Sequence, residues 1–402
     1  MKILVLSQYY YPEKFLINDI VDELSKIHNI TVLTGKPNYP SGIIHKGYKR
    51  LHIEITESKN LKVIRVPIIP RKNGLFFLTL NYFSFIISTF FIVPFIVKKS
   101  NFDVILSYGL SPPFQSLGLI ILNYYYRKPF VTWVQDLWPD SFIRATDVNL
   151  SLINFFIIKL NKFIYSRNDL LLLQSRKFSD FIEKLAPKTL LYYLPNPAPN
   201  ELENYIKKES LLANKKTKFK VIFAGNLGKV QGLDVLLEAA YLLNHVQNNI
   251  ELHIYGNGSY EKVIRSMISE KKLTNVFIYR QVSLGEISKK LSAADALLLS
   301  LIDDPILNLT IPTKLQAYMC MGKPIIGVVS GEARNIILES KCGIIVEPGN
   351  VFELYSAFQE ISKMTLNQLD SMGKLGKKYY NENFSLQKIV TRLDFCLKAL
   401  LK

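Results

Sequence analysis

Cysteine is scarce in this 402-residue chain: Cys320, Cys342 and Cys396 are odd in number and far apart. That rules against a disulfide-built secreted scaffold, and no Cys/His cluster has zinc spacing. The chain opens directly on a strand pattern without a signal peptide, which fits a reducing cytosol. Glycine and proline are modest at 19 and 18 residues, and 49% of the chain is hydrophobic, so it is globular rather than disordered. The first strand-to-helix turn lacks G-x-G-x-x-G, so no dinucleotide is expected there. No Walker A spacing, Asp-x-Asp pair, Ser/His/Asp order or nucleophilic cysteine context occurs, and no metal or cofactor is expected. None of the five histidines (His28, His45, His52, His245, His253) sits in a motif. Acidic residues are also few, 33 against 50 Lys+Arg, for a net charge of +17. Residues 1–200 hold 24 Lys+Arg and 13 Asp+Glu, against 26 and 20 in residues 201–402. A basic first half suggests a membrane face, a phosphorylated substrate or nucleic acid. With no nucleic-acid-binding motif, the last is the weakest of the three.

What is present is a repeating strand–helix alternation. Lys2–Ser7, Ile30–Thr34, Leu61–Val66, Val104–Ser107, Phe130–Val134, Leu170–Leu173 and Thr189–Leu194 read as buried strands with helical patterns between them. Residues 35–60 read as a long functional loop containing Lys36, His45, Lys46, Lys49 and Arg50. Pro195, Pro197 and Pro199 mark a boundary, and Glu201–Lys218 reads as a charged linker. A second series starts at Phe219, with strands at 220–224, 251–255, 276–279, 296–300 and 325–329. The tail from Thr365 is two helical stretches. The domains expected are 1–198, a linker 199–218, 219–364, and C-terminal helices 365–402. Two doubly wound α/β domains facing a cleft place the site at the carboxyl ends of the strands.

Asn73–Val97 carries no charge over 25 residues and is flanked by Arg71-Lys72 and Lys98-Lys99. Its length and composition suit a membrane span. A single crossing, however, would put two halves of one sheet on opposite sides of the bilayer. Asn81, Ser84 and Ser88 also share one helical face. The reading favoured is a helix partly buried in the domain and dipping into one leaflet, as in a peripheral membrane protein, with a purely internal core helix as the alternative.

The chemistry centres on IPTKLQAYMCMGKP, residues 311–324. Thr313 suits an N-cap, with Gln316 at capping-box spacing, and Gly322 and Pro324 stop the helix. Lys314 in the first turn opposes the helix dipole, and is well placed if helix end and lysine together hold an anion such as a diphosphate. Gly225, Gly228 and Gly232 punctuate another strand-to-helix turn, and Tyr255-Gly-Asn-Gly258 a third. Such glycines let backbone N–H groups approach a phosphate; tight packing explains them equally well. Asp136, in QDLWPD after the strand FVTWV, is the candidate catalytic carboxylate, with a turn-forming aspartate as the alternative. Asp140 reads better as a cap.

Together these stretches, with AADALLLS, resemble glycosyltransferase family 4 of the GT-B fold. SQYYYPEKFLINDI, VQDLWPDSF, GNLGKVQGL and IPTKLQAYM are especially similar to bacterial surface-polysaccharide and O-antigen enzymes, including N-acetyl-L-fucosamine transferases. The resemblance implies retaining, metal-independent transfer from a UDP-sugar held by the C-terminal domain. The acceptor, a polyprenyl-diphosphate-linked glycan, would meet the N-terminal domain at the cytoplasmic face of the inner membrane. The tail helix would cross back to the first domain. Asp136 and Lys314 would be catalytic. Asn226, Gly228, Lys229, Gln231, Gly258, Tyr279, Arg280, Asn308, Thr313 and Gln316 would line the donor. The chain departs from the family pattern where Asn226 and Gln231 stand for basic residues, Asn308 and Gln316 for two glutamates, and Gln135 for a histidine. Lys229 and Lys314 would then carry most of the positive charge. A nucleotide-sugar epimerase of the same fold, or a non-catalytic membrane-associated binding protein, are the alternatives.

Overall fold

A computed structural model describes the chain except residues 73, 110–111, 139–150, 209–217, 247–248 and 402. It divides into two compact units, Met1–Pro195 with Ile389–Lys402, and Asn196–Lys388. The first unit contains β1 (Lys2–Leu6), β2 (Asn29–Gly35), β3 (Glu54–Ser58), β4 (Leu61–Val66), β5 (Val104–Gly109), β6 (Phe130–Val134), β7 (Leu170–Leu173) and β8 (Leu190–Tyr193). Their order is β3-β4-β2-β1-β5-β6-β7-β8, and all neighbours are parallel except β3 against β4. The inner strands are apolar on both faces because helices cover both faces of a parallel sheet; Ile3, Leu4, Val5 and Leu6 are all buried. Its helices are α1 (Leu16–Ser25), α2 (Leu75–Ile96), α3 (Leu117–Tyr126), α4 (Ser151–Tyr165) and α5 (Ser179–Leu185).

The uncharged stretch is the single helix α2, and its polar stripe ties it to the unit. Asn81 Nδ2 donates to the Ile69 carbonyl (2.6 Å), Ser84 Oγ accepts from the Ile69 N–H (2.9 Å), and Ser88 Oγ donates to the Pro67 carbonyl (2.5 Å). Gln8 Nε2 donates to Asn81 Oδ1 (2.7 Å) from the end of β1. Gly118 lets α3 approach closely: a Cβ there would lie 2.6 Å from the Ile86 carbonyl oxygen.

The second unit begins with α6 (Asn200–Lys208) and builds a six-stranded parallel sheet in the order β11-β10-β9-β12-β13-β14. These strands are β9 (Phe219–Ala224), β10 (Ile250–Tyr255), β11 (Val276–Tyr279), β12 (Ala296–Ser300), β13 (Ile325–Val328) and β14 (Gly343–Val346). Its helices are α7 (Leu233–Asn244), α8 (Glu261–Glu270), α9 (Leu284–Ser292), α10 (Thr313–Met321), α11 (Gly331–Ser340), α12 (Val351–Lys363) and α13 (Leu366–Asn383). The last helix, α14 (Leu386–Ala399), has most of its length in the first unit. There Asp394 Oδ1 pairs with His28 Nε2 at 2.6 Å, and Arg392 bonds to Tyr192 and to the Tyr193 carbonyl.

Two expectations need correction. The loop 35–60 contains β3, whose mostly exposed polar residues give no apolar signal because an edge strand need not be buried. The supposed linker begins with α6, where Leu202 is buried and Glu203 accepts from the Tyr380 hydroxyl and the Leu386 N–H. The Glu203 charge therefore has partners far along the chain. Asp140, expected to cap a turn, lies outside the described residues.

Candidate functional site

Helix α10 sets the geometry in the second unit. Its N-cap is Pro312, not Thr313, and no side chain caps it. Pro312 adopts extended backbone at φ −68° and ψ 132°, and Thr313 is already the first helical residue. The expected capping box is therefore absent. Gln316 instead points inward, fully buried, with neither amide atom hydrogen-bonded to protein. The stop is as read: Gly322 is left-handed at φ 66°.

Tyr318, one turn after Lys314, pins α10 to the end of β9. Its hydroxyl accepts from the Ala224 N–H (2.9 Å) and donates to the Ala224 carbonyl (3.2 Å). Side chains four residues apart share a helix face, so Lys314 runs along the same strand end. Its ammonium lies 3.9 Å from the centroid of the Phe223 ring and bonds to Gln231 Oε1. It crosses Gly225 so closely that a Cβ there would lie 2.4 Å from Lys314 Cε. Burial pushes the Lys314 ammonium down to about 7; the Phe223 ring face and the Gln231 oxygen are its compensating partners.

The glycine turns close around this lysine. Gly225 and Gly256 have φ 151° and 159°, and a Cβ on Gly256 would lie 1.9 Å from the Gly225 carbonyl oxygen. The Gly225 N–H donates to the Tyr255 carbonyl (2.9 Å), and the Leu227 N–H to the Asn257 carbonyl (2.8 Å). The exposed Asn226 side chain lies over Gly228 and Gly258: Cβ atoms there would be 3.1 Å and 2.7 Å from its amide. Lys229 is exposed in the short 3-10 turn Lys229–Gln231, and Gly232 (φ 57°) starts α7. Lys314, Asn226, Gly228, Lys229, Gln231 and Gly258 are thus brought together by these connected turns at the carboxyl edge of the second sheet.

Of the other candidates, Tyr279 touches this network through its backbone: its carbonyl accepts from the Gly256 N–H (3.1 Å). Tyr279 is half exposed at the end of β11, stacked on Tyr255 at 4.6 Å and bonded to His253 (3.2 Å); Arg280 beside it is exposed. Asn308 is tied to Asp303 Oδ1 (2.7 Å), and its backbone abuts Gly331, where a Cβ would lie 1.9 Å from the Asn308 carbonyl oxygen.

Asp136 belongs to the first unit. It is half-buried just after β6, beside a small cavity of about 10 Å³ lined by Gly109, Pro113, Thr132, Gln135 and Tyr165. Burial, and then the Asp136 charge, push the Tyr108 and Tyr165 hydroxyls well above their usual range.

Sequence reasoning missed a second cluster at the carboxyl edge of the first sheet. Glu13 is buried, and its Oε1 accepts from the N–H groups of Asn38 (2.6 Å) and Tyr39 (2.5 Å). Burial raises its pKa despite those bonds. Lys36 is fully buried against Glu54 at 2.9 Å. Arg71 lies over Tyr39, which packs with Tyr9 and Phe15. The aromatic run QYYYPEKF was visible, but no spacing signals that Glu13 would organise a loop 25 residues later.

Known proteins resemble this arrangement. Residues 205–379, most of the second unit but under half of the chain, match the family described as "Glycosyl transferases group 1". No curated protein matches in sequence. Among solved structures, the chain is similar to sucrose-phosphate synthase from Thermosynechococcus elongatus (TM-score 0.71, 14% identity, 99% of this chain and 98% of that one). It is also similar to HepE of Anabaena in complex with UDP (TM-score 0.69, 14% identity, 99% and 100% covered). A third is WaaG, a glycosyltransferase involved in lipopolysaccharide biosynthesis (TM-score 0.63, 15% identity, 97% and 98% covered). The architecture is therefore the GT-B fold: two Rossmann-like α/β units with C-terminal helices.

Proposed function

We propose that this protein is a glycosyltransferase that uses a UDP-sugar donor bound by its second unit. The observation that carries the reading is Lys314, drawn across Gly225 to Gln231 at a strand edge built from close-packed glycines. A cation held there by its neighbours suits a diphosphate leaving group, whose charge grows as the sugar–oxygen bond breaks. The match to group 1 glycosyl transferases covers this unit, and HepE, of the same fold, is solved with UDP. Lys314, Lys229 and the α10 N-terminus would hold the diphosphate, and Tyr279 and Arg280 would border the base.

The finer reading is retaining, metal-independent transfer of a sugar such as N-acetyl-L-fucosamine to a polyprenyl-diphosphate-linked glycan in O-antigen or capsule synthesis. Asp136 would orient or deprotonate the acceptor hydroxyl. The first unit would sit peripherally on the cytoplasmic membrane face through α2. Support comes from the basic first half of the chain and from α2, of which Phe76–Ile96 is long and apolar enough to span a membrane yet one third buried in the protein.

The test is incubation with a panel of labelled UDP-sugars, with and without lipid-linked acceptor. Free UDP together with labelled lipid is expected. A change in the sugar without lipid would replace transfer by epimerisation, and binding without turnover would remove the enzymatic reading.

A further inference from the structure

Helix α2 exposes an apolar row at four-residue spacing: Phe83, Ile87, Phe91 and Phe95, the last 89% exposed. Its other face is fixed, with Phe85 and Val93 fully buried and the Asn81–Ser84–Ser88 stripe bonded to residues 67–69. At 22 residues the helix is about 33 Å long. It starts near the carboxyl edge of the sheet, where the Arg71 N–H donates to Asn38 Oδ1 (2.7 Å) beyond β2. It ends at the amino edge, just before β5.

At that amino end lies a cleft of about 510 Å³ lined by Pro94, Lys98, Lys99, Ser100, Tyr125 and Lys128. Tyr125 is 76% exposed. Lys2 Nζ reaches the Ser100 carbonyl at 3.5 Å and adds a fourth ammonium at the rim. A neighbouring carboxylate, Asp103, accepts from the Lys2 backbone N–H (2.7 Å). Lys98 and Lys99 also suit the negative end of the α2 dipole. That role needs neither Lys128, which comes from the approach to β6, nor an open cleft beside an aromatic row.

We propose that this cleft binds the phosphate headgroup of an anionic glycerophospholipid while the Phe83–Phe95 row enters the same leaflet, so that α2 lies along the bilayer instead of crossing it. Charge complementarity selects the occupant: clustered ammonium groups at the end of an apolar strip match the headgroup layer of an anionic membrane. The bound plane then contains both ends of α2. The carboxyl edge, with Arg71 and Lys72, is held at headgroup level, where a lipid-linked acceptor would present its diphosphate. The inference rests on the membrane part of the proposed function and names the lipid and the orientation.

The experiment is vesicle co-sedimentation of the full chain, with UDP binding measured on the same samples. Vesicles of phosphatidylcholine alone are compared with vesicles containing phosphatidylglycerol. Wild type should prefer the anionic vesicles. The triple variant Lys98→Glu/Lys99→Glu/Lys128→Glu should bind them well over 100-fold more weakly, since losing the three charges alone is worth about 100-fold, and retain UDP binding. The neutral triple variant to Gln should fall between. Phe91→Ser/Phe95→Ser should lose binding to both vesicle types. Circular dichroism melts establish that each variant is folded. Anionic-vesicle binding by the Glu variant equal to wild type would overturn the proposal, as would equal wild-type binding to both vesicle types. So would protection of the cleft lysines from acylation by inorganic phosphate but not by anionic vesicles. A wild type that binds UDP but no anionic vesicle overturns the cleft alone. A charge-dependent vesicle binder that lacks UDP binding keeps the cleft and removes the transferase reading.

Discussion

The two units share the order of six parallel strands, to which the first adds β3 and β8, and they finish their strand ends with different materials. In the second, the carboxyl edge is mostly backbone: Gly225, Gly256 and Gly258 leave no room for a Cβ, and Lys314 lies across Gly225. In the first, the equivalent edge is made of side chains: Glu13, Lys36 and the Tyr9–Phe15–Tyr39 cluster hold the connecting loops. A backbone edge suits a ligand gripped by its phosphates, because N–H groups and a helix end reach an anion without intervening side chains. A side-chain edge suits an acceptor whose identity varies between enzymes, because loops can change without disturbing the sheet.

The largest expected effect falls on Lys314, the cation drawn across that edge. Lys314→Ala should lower turnover by about 10²–10³-fold, the usual cost of removing one group that stabilises developing charge. UDP affinity, measured by calorimetry, should fall as well. Full activity in this variant would move the diphosphate away from α10. Gln231→Ala should have a smaller effect, because it removes only the group that holds Lys314 in place.

Much of this was legible in the sequence, for identifiable reasons. Buried parallel strands are short apolar runs, so Leu61–Val66, Phe130–Val134, Leu170–Leu173 and Val276–Tyr279 are found at the bounds expected from pattern alone. Lys314 was legible because a cation in a first helical turn violates the dipole rule. Local spacing failed where contacts are distant. Thr313 and Gln316 have capping-box spacing, yet Pro312 takes the cap and Gln316 faces the core. Glu203 looked like linker charge because its partners, Tyr380 and Leu386, lie more than 170 residues away. β3 was invisible because an exposed edge strand has no apolar face to reveal it.

Close backbone approach gives the next test of the contrast. Gly256→Ala should destabilise the protein by about 3 kcal/mol, since an unfavourable φ adds to a backbone clash. Gly118→Ala, at the α2–α3 contact of the first unit, should cost about 1–3 kcal/mol as overpacking. Thermal melts with and without UDP separate the two. UDP should raise the melting temperature of Gly118→Ala as much as that of wild type and that of Gly256→Ala by less, because the latter distorts the binding edge itself. Equal shifts would mean that the glycines of the second unit serve packing alone.

The Lys314 pKa gives a sharper and smaller effect. Burial holds it at about 7 in the empty protein, below its ordinary 10.5. A diphosphate binds the protonated form, so UDP affinity should fall about tenfold per pH unit above 7. Lys314→Arg should flatten that slope, because arginine keeps its proton. Stability of the empty protein moves the other way. Between pH 7 and 10.5 the unfolded lysine is protonated and the folded one is not. The contribution is thus complete above 10.5 and is lost as pH falls towards 7.

The smallest effect separates scaffold from ligand contact within α10 itself. Gln316 lies two residues from Lys314 but is fully enclosed, and both of its amide atoms lack protein partners. A buried amide without hydrogen bonds costs free energy, and an apolar side chain of similar volume removes that cost. Gln316→Met should therefore raise stability by about 1 kcal/mol and leave UDP affinity unchanged. The outcome that would sink this assignment is a stable Gln316→Met protein with weakened UDP binding. Gln316 would then reach the donor after a rearrangement of α10, and the contrast between a backbone-built and a side-chain-built edge would fail at that point.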